Sequence, residues 1–316
     1  MSELVFKRLY AKLNPKQREA VDKIQGPMMV IAGPGTGKTS MLTLRIANIL
    51  KKTDTPPDAI LALTFTESGA YSMRRKLVEL IGAPAYRVGI FTFHGFANHI
   101  IRRFSESFPR IIGSRSASVS DQLEILEQIF LKNRFTLIRP FGDIFHYVPK
   151  TLHAIRDLKR ENVSPEAFKK ALLKEKKAAQ KTPDRFHTKG RFKGQLKADY
   201  RDLIRKLEKS EELADAYRAY EDALHKERLF DFEDMILEVI RTLEKDRSLL
   251  LTLQEQYQYI LADEHQDANN AQNRILELLA SGIRKIFPYY LQKLDSDYQK
   301  PNRHSHQHHP RHALPL

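Results

Sequence analysis

Short apolar runs alternate with amphipathic segments along the early part of the chain. Apolar residues are continuous in Met28 to Ala32, Ile60 to Thr64 and Val88 to Phe91. Between the runs, apolar residues recur at helical spacing, at Leu42, Ile46, Ile49 and Leu50 and again at Ala70, Met73, Leu77 and Ile81. Fully apolar runs predict buried strands, and the segments between them predict the crossover helices that join parallel strands. The pattern therefore predicts an α/β fold, a parallel sheet flanked by helices.

The same pattern returns late in the chain after a long helical stretch. Tyr259 to Ala262 predicts a further strand, whereas residues 105–213 show helical periodicity and no convincing strand. We therefore expect one α/β domain in two parts, residues 1–104 and 214–282, interrupted by an inserted all-α domain at residues 105–213. Residues 283–316 are rich in Tyr, Pro, Arg and His without a sustained period, which predicts a disordered or out-of-frame tail.

Positive charge is concentrated in the predicted insert. The chain has 53 Lys and Arg against 39 Asp and Glu, a formal charge of +14. Residues 150–209 alone contain 19 basic and 8 acidic residues, an excess of 11. Such an excess favours a polyanionic partner such as nucleic acid, although a solvated helical face without any ligand has the same composition. Residues 180–195 predict a mobile basic loop, because Pro183, Gly190 and Gly194 interrupt the helical pattern.

Composition also excludes several kinds of site. The chain has no cysteine, which rules out disulfides, thiolate metal sites and thiol nucleophiles. No run of apolar residues is long enough to predict a membrane span, and the first residues do not resemble a signal peptide. These features predict a soluble, cytoplasmic protein with no membrane partner.

A glycine-rich segment directly follows the first predicted strand and precedes a helix, the context that a phosphate-binding loop requires. Its backbone N–H groups would surround the phosphates, assisted by the positive end of the following helix. Lys38 would supply a charge to the β and γ phosphates of ATP, and the Thr39 hydroxyl would be a ligand of Mg²⁺. The predicted nucleotide-binding residues of this segment are Ala32, Gly33, Pro34, Gly35, Thr36, Gly37, Lys38 and Thr39.

Two carboxylates follow the late predicted strand. Asp263 and Glu264 come directly after Tyr259 to Ala262, and the carboxyl ends of parallel strands face the ligand crevice of an open α/β sheet. We expect Asp263 to hold Mg²⁺ and Glu264 to activate the water that attacks the γ phosphate. An Asp-Glu pair is weak evidence alone, but together with Lys38 it predicts a nucleotide hydrolase.

Several segments between Leu13 and Ala280, taken in order, resemble the UvrD/Rep-type superfamily 1 helicases. They are Leu13-Asn14-Pro15-Lys16-Gln17, the loop before Thr39, Thr64-Phe65-Thr66, Thr92-Phe93-His94-Gly95-Phe96, Asp231-Phe232-Glu233-Asp234 and Asp263-Glu264-His265-Gln266-Asp267. The resemblance implies a RecA-like ATP-binding domain with an inserted helical domain, using Mg²⁺ and ATP and moving along single-stranded or partly duplex DNA in the 3′ to 5′ direction.

The resemblance also implies individual roles. Gln17 would read the adenine base, and Gln266 would couple the phosphate site to DNA. The segment Thr64-Phe65-Thr66 and His94 would contact the single strand, where aromatic rings can stack on any base. Ordinary core packing is the alternative for Phe65, Phe93 and His94. His265 stands where the family usually has tyrosine.

We find no counterpart in this sequence of the family's remaining motifs or of its second RecA-like domain. The residues from Gly282 onward do not resemble the family. We therefore expect a truncated helicase with very low activity alone, completed by a partner chain if one supplies the second domain. Two alternatives stay open. The chain could be a nucleotide-responsive DNA-binding module without motor activity, or the helicase portion of a helicase–nuclease subunit.

Overall fold

The computed structural model describes residues 3–31, 37–139, 142–182 and 185–281. The strands are β1 (Ile60–Thr64), β2 (Gly89–Thr92), β3 (Arg115–Ser116), β4 (Leu229–Phe230) and β5 (Tyr259–Ala262). The helices are α1 (Glu3–Ala11), α2 (Pro15–Asp22), α3 (Lys38–Lys52), α4 (Glu67–Ile81), α5 (Phe93–Arg103), α6 (Pro109–Ile112), α7 (Val119–Lys132), α8 (Val148–Arg160), α9 (Pro165–Gln180), α10 (Ala198–Lys226), α11 (Phe232–Lys245), α12 (Arg247–Gln256) and α13 (Asn270–Ala280).

The described residues divide into two units. The first contains residues 3–108 and 238–281, and the second contains Pro109–Leu237. The first unit is the α/β part of the chain and the second is mainly helical. A RecA-like parallel sheet interrupted by a helical insertion is therefore the observed architecture.

The sheet of the first unit is parallel, with β1 between β2 and β5. All five residues of β1 are buried, as expected for a central strand covered on both faces. Leu63 is level with Phe91 on one side and with Ala262 on the other, so the three strands end at the same edge. The predicted strands Ile60 to Thr64 and Tyr259 to Ala262 are observed with the predicted bounds.

Threonine caps begin the helices that follow β1 and β2. The Thr66 hydroxyl accepts a hydrogen bond from the Gly69 N–H at 3.0 Å, and the Thr92 hydroxyl accepts one from the Gly95 N–H at 2.9 Å. Such caps satisfy N–H groups that have no partner within the helix. A Cβ atom at Gly69 would lie 2.7 Å from the Thr64 hydroxyl, so this close approach requires glycine. Each threonine therefore makes a sharp change from strand to helix possible.

The predicted strand Met28 to Ala32 is not observed. Met28–Ile31 has no strand pairing, and Ala32 lies outside the described residues. The side chain of Ile31 is 87% exposed. An apolar run becomes a strand only when a neighbouring strand pairs with its backbone groups, and no described residue does so here. Hydrophobicity alone was an insufficient signal.

The second unit is organised around the long helix α10. Leu213, Tyr217, Tyr220 and Leu224 recur at helical spacing along α10 and are buried in a core shared with α7, α8 and α9. This core continues past Leu213 to Leu229. The second unit accordingly extends to Leu237, beyond the boundary at residue 213 expected from the sequence. It also contains a strand that was not expected, Arg115–Ser116, which pairs in parallel with β4.

The remaining expectations concern the tail, the basic loop and membrane-spanning helices. The expected tail at 283–316 lies outside the described residues, as do Pro183 and Asp184 of the expected basic loop. In the part of the chain that the structure describes, no helix combines the length and the apolar character needed to cross a bilayer.

Candidate active site

The carboxyl ends of three strands form one edge of the first unit's sheet. β1 ends at Thr64, β2 at Thr92 and β5 at Ala262. Asp263 continues the pairing by one residue, because its N–H donates to the Leu63 carbonyl at 2.8 Å. The parallel topology thus delivers the residues after each strand to one place.

Thr39 and Asp263 meet at this edge. The Thr39 hydroxyl donates a hydrogen bond to Oδ2 of Asp263 at 2.8 Å, although the residues are 224 positions apart. Asp263 is buried, and its Oδ1 accepts the Glu264 N–H at 3.1 Å. Each oxygen keeps lone pairs beyond these bonds. A hydroxyl and a buried carboxylate are the oxygen donors that Mg²⁺ prefers, so these two residues fit a magnesium site.

Lys38 lies at the N-terminus of α3, next to Thr39. The preceding Gly37 has φ of 81°, a left-handed conformation that glycine adopts without strain. Lys38 is half-buried, and Lys76 contacts the same first turn of α3, because its Nζ donates to the Ser40 hydroxyl at 2.9 Å. Ala32, Gly33, Pro34, Gly35 and Thr36 lie outside the described residues.

Glu264 and Gln266 lie just beyond β5 and are exposed. Glu264 has φ of 53°, which is uncommon for a residue with a side chain and is typical of strained positions at functional sites. The Gln266 amide donates to the Asp267 carboxylate at 3.2 Å. Between them, burial lowers the pKa of His265, which favours a neutral imidazole. The structure thus brings Glu264 beside Asp263 with its side chain open to solvent.

Gln17 lies in the first turn of α2 and takes part in a capping box. Its Oε1 accepts the Asn14 N–H at 2.9 Å, and the Asn14 side chain accepts the Gln17 N–H at 2.9 Å. Helix α2 is tied to α3 by the buried Asn48 amide, which donates to the Val21 carbonyl at 2.8 Å. The helix of Gln17 is therefore fixed against the helix of Lys38 and Thr39.

The expected DNA-facing residues lie beyond β1 and β2 with different degrees of exposure. Phe65 is 47% exposed, whereas Phe93 is 3% exposed and packs as a core residue. Thr64 is buried, Thr66 caps α4, and His94 is half-buried in the first turn of α5. Phe65 is therefore more accessible to a ligand than Phe93 or His94.

The sequence prediction missed a bridge between the two helix starts. The Thr92 hydroxyl, which caps α5, also donates to Oε1 of Glu67 in the first turn of α4 at 2.7 Å. This bond fixes the two helices that begin at the candidate DNA-facing edge. A threonine directly after a strand was the available signal, because threonine is a favoured cap.

The other acidic stretch, which begins at Asp231, has a different environment within the second unit. Lys159 is fully buried, and its Nζ lies 2.6 Å from Asp231, 2.9 Å from Asp234 and 2.6 Å from Glu221. The three carboxylates are close enough to hold a metal ion, but the lysine ammonium contacts all of them. Asp231 and Asp234 therefore belong to a buried ionic cluster of Lys159, Glu221, Asp231 and Asp234.

Lys159 was also missed by the sequence prediction, although its spacing contains a signal. The buried positions Val148, Leu152 and Ile155 of α8 follow one helical stripe, and Lys159 is the next position on that stripe. A lysine on an apolar stripe predicts a buried partner of opposite charge.

The sequence is similar to helicase sequences along most of its length. The sequence model of the UvrD/REP helicase N-terminal domain matches residues 13–288, so the similarity extends past Gly282, where we expected it to end. The ATP-dependent DNA helicase PcrA of Staphylococcus epidermidis is 30% identical over 282 residues, covering 88% of this chain and 33% of the relative. PcrA of Staphylococcus aureus is 31% identical over 278 residues, covering 87% and 32%. The chain thus spans about a third of the length of these relatives.

Proposed function

The chain belongs to the UvrD/REP helicase N-terminal domain family, and from this premise we propose that it is the ATP-binding portion of a 3′ to 5′ DNA helicase or translocase. The observation that supports the proposal best is the 2.8 Å hydrogen bond from Thr39 to Asp263. It joins the start of the helix after the glycine-rich loop to the acidic end of β5. Phosphoryl-transfer sites of this class need both elements at one place.

Each residue at this edge has a distinct proposed task. Lys38 and the N-terminus of α3 attract the β and γ phosphates. Thr39 and Asp263 would hold Mg²⁺, which when bound neutralises charge on the phosphate oxygens. Glu264, exposed beside Asp263, orients and deprotonates the attacking water. Gln17 binds the adenine from α2.

Coupling to DNA follows from the shared edge. Phe65 and His94 lie just beyond β1 and β2, at the same edge of the sheet where Asp263 follows β5. A single strand contacting Phe65, Thr66 and His94 would therefore approach the nucleotide site, whereas Thr64 is buried. Gln266, three residues after Asp263, is proposed to couple the phosphate site to the residues that contact DNA. Stacking on Phe65 suits movement along any sequence, because every base has a π face.

We expect the 316-residue chain to hydrolyse ATP very slowly when it is purified alone. In this class of motor an arginine from across a cleft typically contributes ~10³ to 10⁵ in rate. A partner chain that contributes a second RecA-like domain would then increase the rate.

The proposal is tested by nucleotide binding and DNA-stimulated phosphate release. A fluorescent ATP analogue should bind the wild-type chain weakly in the presence of Mg²⁺. Lys38→Ala should abolish this binding, whereas Glu264→Gln should retain it and reduce phosphate release with oligothymidylate by ~10² or more. Glu255→Gln, the same chemical change at an exposed position of α12, is the control and should change neither.

Each outcome discriminates between the functions. Nucleotide binding that survives Lys38→Ala would contradict the proposed site. Binding of both ATP and DNA, with hydrolysis that does not depend on Glu264, would favour the nucleotide-responsive DNA-binding module.

A further inference from the structure

A small basic hairpin joins α9 and α10 within the second unit. It comprises residues Arg185 to Lys197, and we call it the basic hairpin. Phe186 and Leu196 form an antiparallel bridge across it. Three backbone N–H groups donate across the hairpin. They are those of Lys197 to the Arg185 carbonyl at 2.9 Å, of His187 to the Gln195 carbonyl at 2.9 Å and of Gly194 to the His187 carbonyl at 2.8 Å.

The basic hairpin is anchored at both ends. The Arg185 guanidinium donates to the carbonyl of Gln180, the last residue of α9, at 2.6 Å, and Lys197 is the N-cap residue of α10. Gly190 and Gly194 have φ of 79° and 82°, which residues with side chains rarely adopt. The anchors and the two glycines therefore define an exposed turn rather than an irregular linker.

Its charge is entirely positive. Residues 185–197 contain five Lys or Arg and no Asp or Glu, namely Arg185, Lys189, Arg191, Lys193 and Lys197. Lys189, Arg191 and Lys193 are exposed at the turn. Without acidic neighbours in the hairpin, this charge is available to an anionic partner.

Two phenylalanines are exposed among these charges. Phe186 is 42% exposed and Phe192 is 55% exposed. The Arg185 guanidinium lies 5.2 Å from the centre of the Phe186 ring, and the His187 ring lies 5.9 Å from that of Phe192. Large apolar rings are costly to expose, and their clustering with positive charge is typical of surfaces that bind single strands.

We propose that the basic hairpin binds single-stranded nucleic acid, with Lys189, Arg191 and Lys193 contacting phosphates and Phe186 and Phe192 stacking on unpaired bases. The proposal rests on the proposed function in taking DNA as the partner, but it adds a contact in the second unit that is separate from Phe65 and His94. Unpaired DNA is favoured over a duplex, because a duplex hides the base faces that the rings require.

The test measures binding of labelled oligothymidylate to the full chain and to three variants. One variant combines Phe186→Ala with Phe192→Ala. The second reverses the charge of the turn by K189E, R191E and K193E. The third is a matched control that reverses three exposed lysines on α9 by K170E, K174E and K177E. The control makes the same change in net charge on a helix whose one aromatic residue, Phe168, is buried.

The phenylalanine variant should lose about tenfold in affinity for the single strand and little for a duplex of equal length. Charge reversal at the turn should weaken binding more and reduce the slope of log K against log salt by about two, from roughly 0.7 for each of three lost phosphate contacts. The α9 control should weaken binding several times less. ATP-analogue binding should be unchanged in all three variants.

Other outcomes overturn the proposal. Equal losses in the turn and α9 variants would show a general charge effect, and an unchanged phenylalanine variant would exclude stacking. Stronger retention on vesicles of phosphatidylserine and phosphatidylcholine than on DNA, lost in the phenylalanine variant, would assign the hairpin to a membrane surface. If the wild-type chain binds the ATP analogue but no DNA, the proposed function fails. If the hairpin variants bind DNA as well as the wild type does, only the proposed role of the basic hairpin is refuted.

Discussion

Two acidic stretches of this chain follow short strands, and their surroundings differ. In the second unit, Asp231 follows β4 and contacts the buried ammonium of Lys159 at 2.6 Å. In the first unit, Asp263 follows β5 and accepts hydrogen bonds from the Thr39 hydroxyl and from the Glu264 N–H. One carboxylate has its cation built into the fold. The other accepts hydrogen bonds from neutral donors in the part of the chain that the structure describes.

The difference separates a structural carboxylate from a candidate metal ligand. A buried carboxylate with a lysine partner is compensated in every state of the protein, so an added cation would have to displace that lysine. A buried carboxylate that has only neutral donors attracts a further cation. Both stretches belong to motifs of the same family resemblance, yet only Asp263 is suited to magnesium.

The largest expected effect is on the stability of the second unit. Lys159→Met should lower its free energy of unfolding by about 3 to 5 kcal/mol, because the change leaves three carboxylates without their buried cation. Urea denaturation followed by circular dichroism, with limited proteolysis to identify the unit that opens, measures the loss. Combining Lys159→Met with Asp234→Asn should restore part of it.

An exposed ion pair of the same unit provides the control for that measurement. Lys169 Nζ lies 2.7 Å from Asp215 on the surface, and Lys169→Met should cost no more than about 1 kcal/mol. If Lys159→Met and Lys169→Met unfold at the same urea concentration, the buried ion pairs of Lys159 contribute no more to stability than an exposed pair. The contrast between Asp231 and Asp263 would then have no energetic basis.

The parts of the comparison that could be predicted from the sequence depend on local pattern. β1 and β5 were predicted with their observed bounds, because each is a short, mainly apolar run of strand-forming residues. Asp263 could be placed at the carboxyl edge of the sheet, because it directly follows a predicted strand. Met28–Ile31 has the same apolar pattern but no observed partner strand.

The buried cluster could not be predicted in the same way. Its contacts join Lys159 to residues 72 and 75 positions away, and one chain contains many lysines of which few are buried. The helical stripe of α8 identifies Lys159 as unusual, but it does not identify Asp231 as the partner. Long-range ion pairing depends on how helices pack, which periodicity leaves open.

The next effect concerns Asp263, the carboxylate without a lysine partner. Asp263→Asn keeps the shape of the side chain and can still accept from Thr39, but it removes the negative charge. Affinity for the ATP analogue should fall by about tenfold in the presence of Mg²⁺ and stay unchanged in EDTA. Stability should change little, because no built-in cation loses its partner. Equal weakening with and without Mg²⁺ would mean that Asp263 supports the fold rather than the metal.

The smallest effect is a pH dependence confined to the buried cluster. Burial alone would lower the pKa of Lys159, but Asp234, Asp231 and Glu221 raise it well above its ordinary value of 10.5. A raised lysine pKa stabilises the fold fully below pH 10.5 and less as the pH rises from there toward the folded pKa, because the unfolded chain releases its proton first.

Within the first pH unit above 10.5, wild type should therefore lose up to about 1 kcal/mol of unfolding free energy relative to Lys159→Met with Asp234→Asn. Urea titrations of both proteins across this range give the difference directly, and subtraction removes the titration of lysines common to both. A difference that stays constant through pH 10.5 would show that Lys159 has an ordinary pKa, and the cluster would then be weaker than its short distances imply.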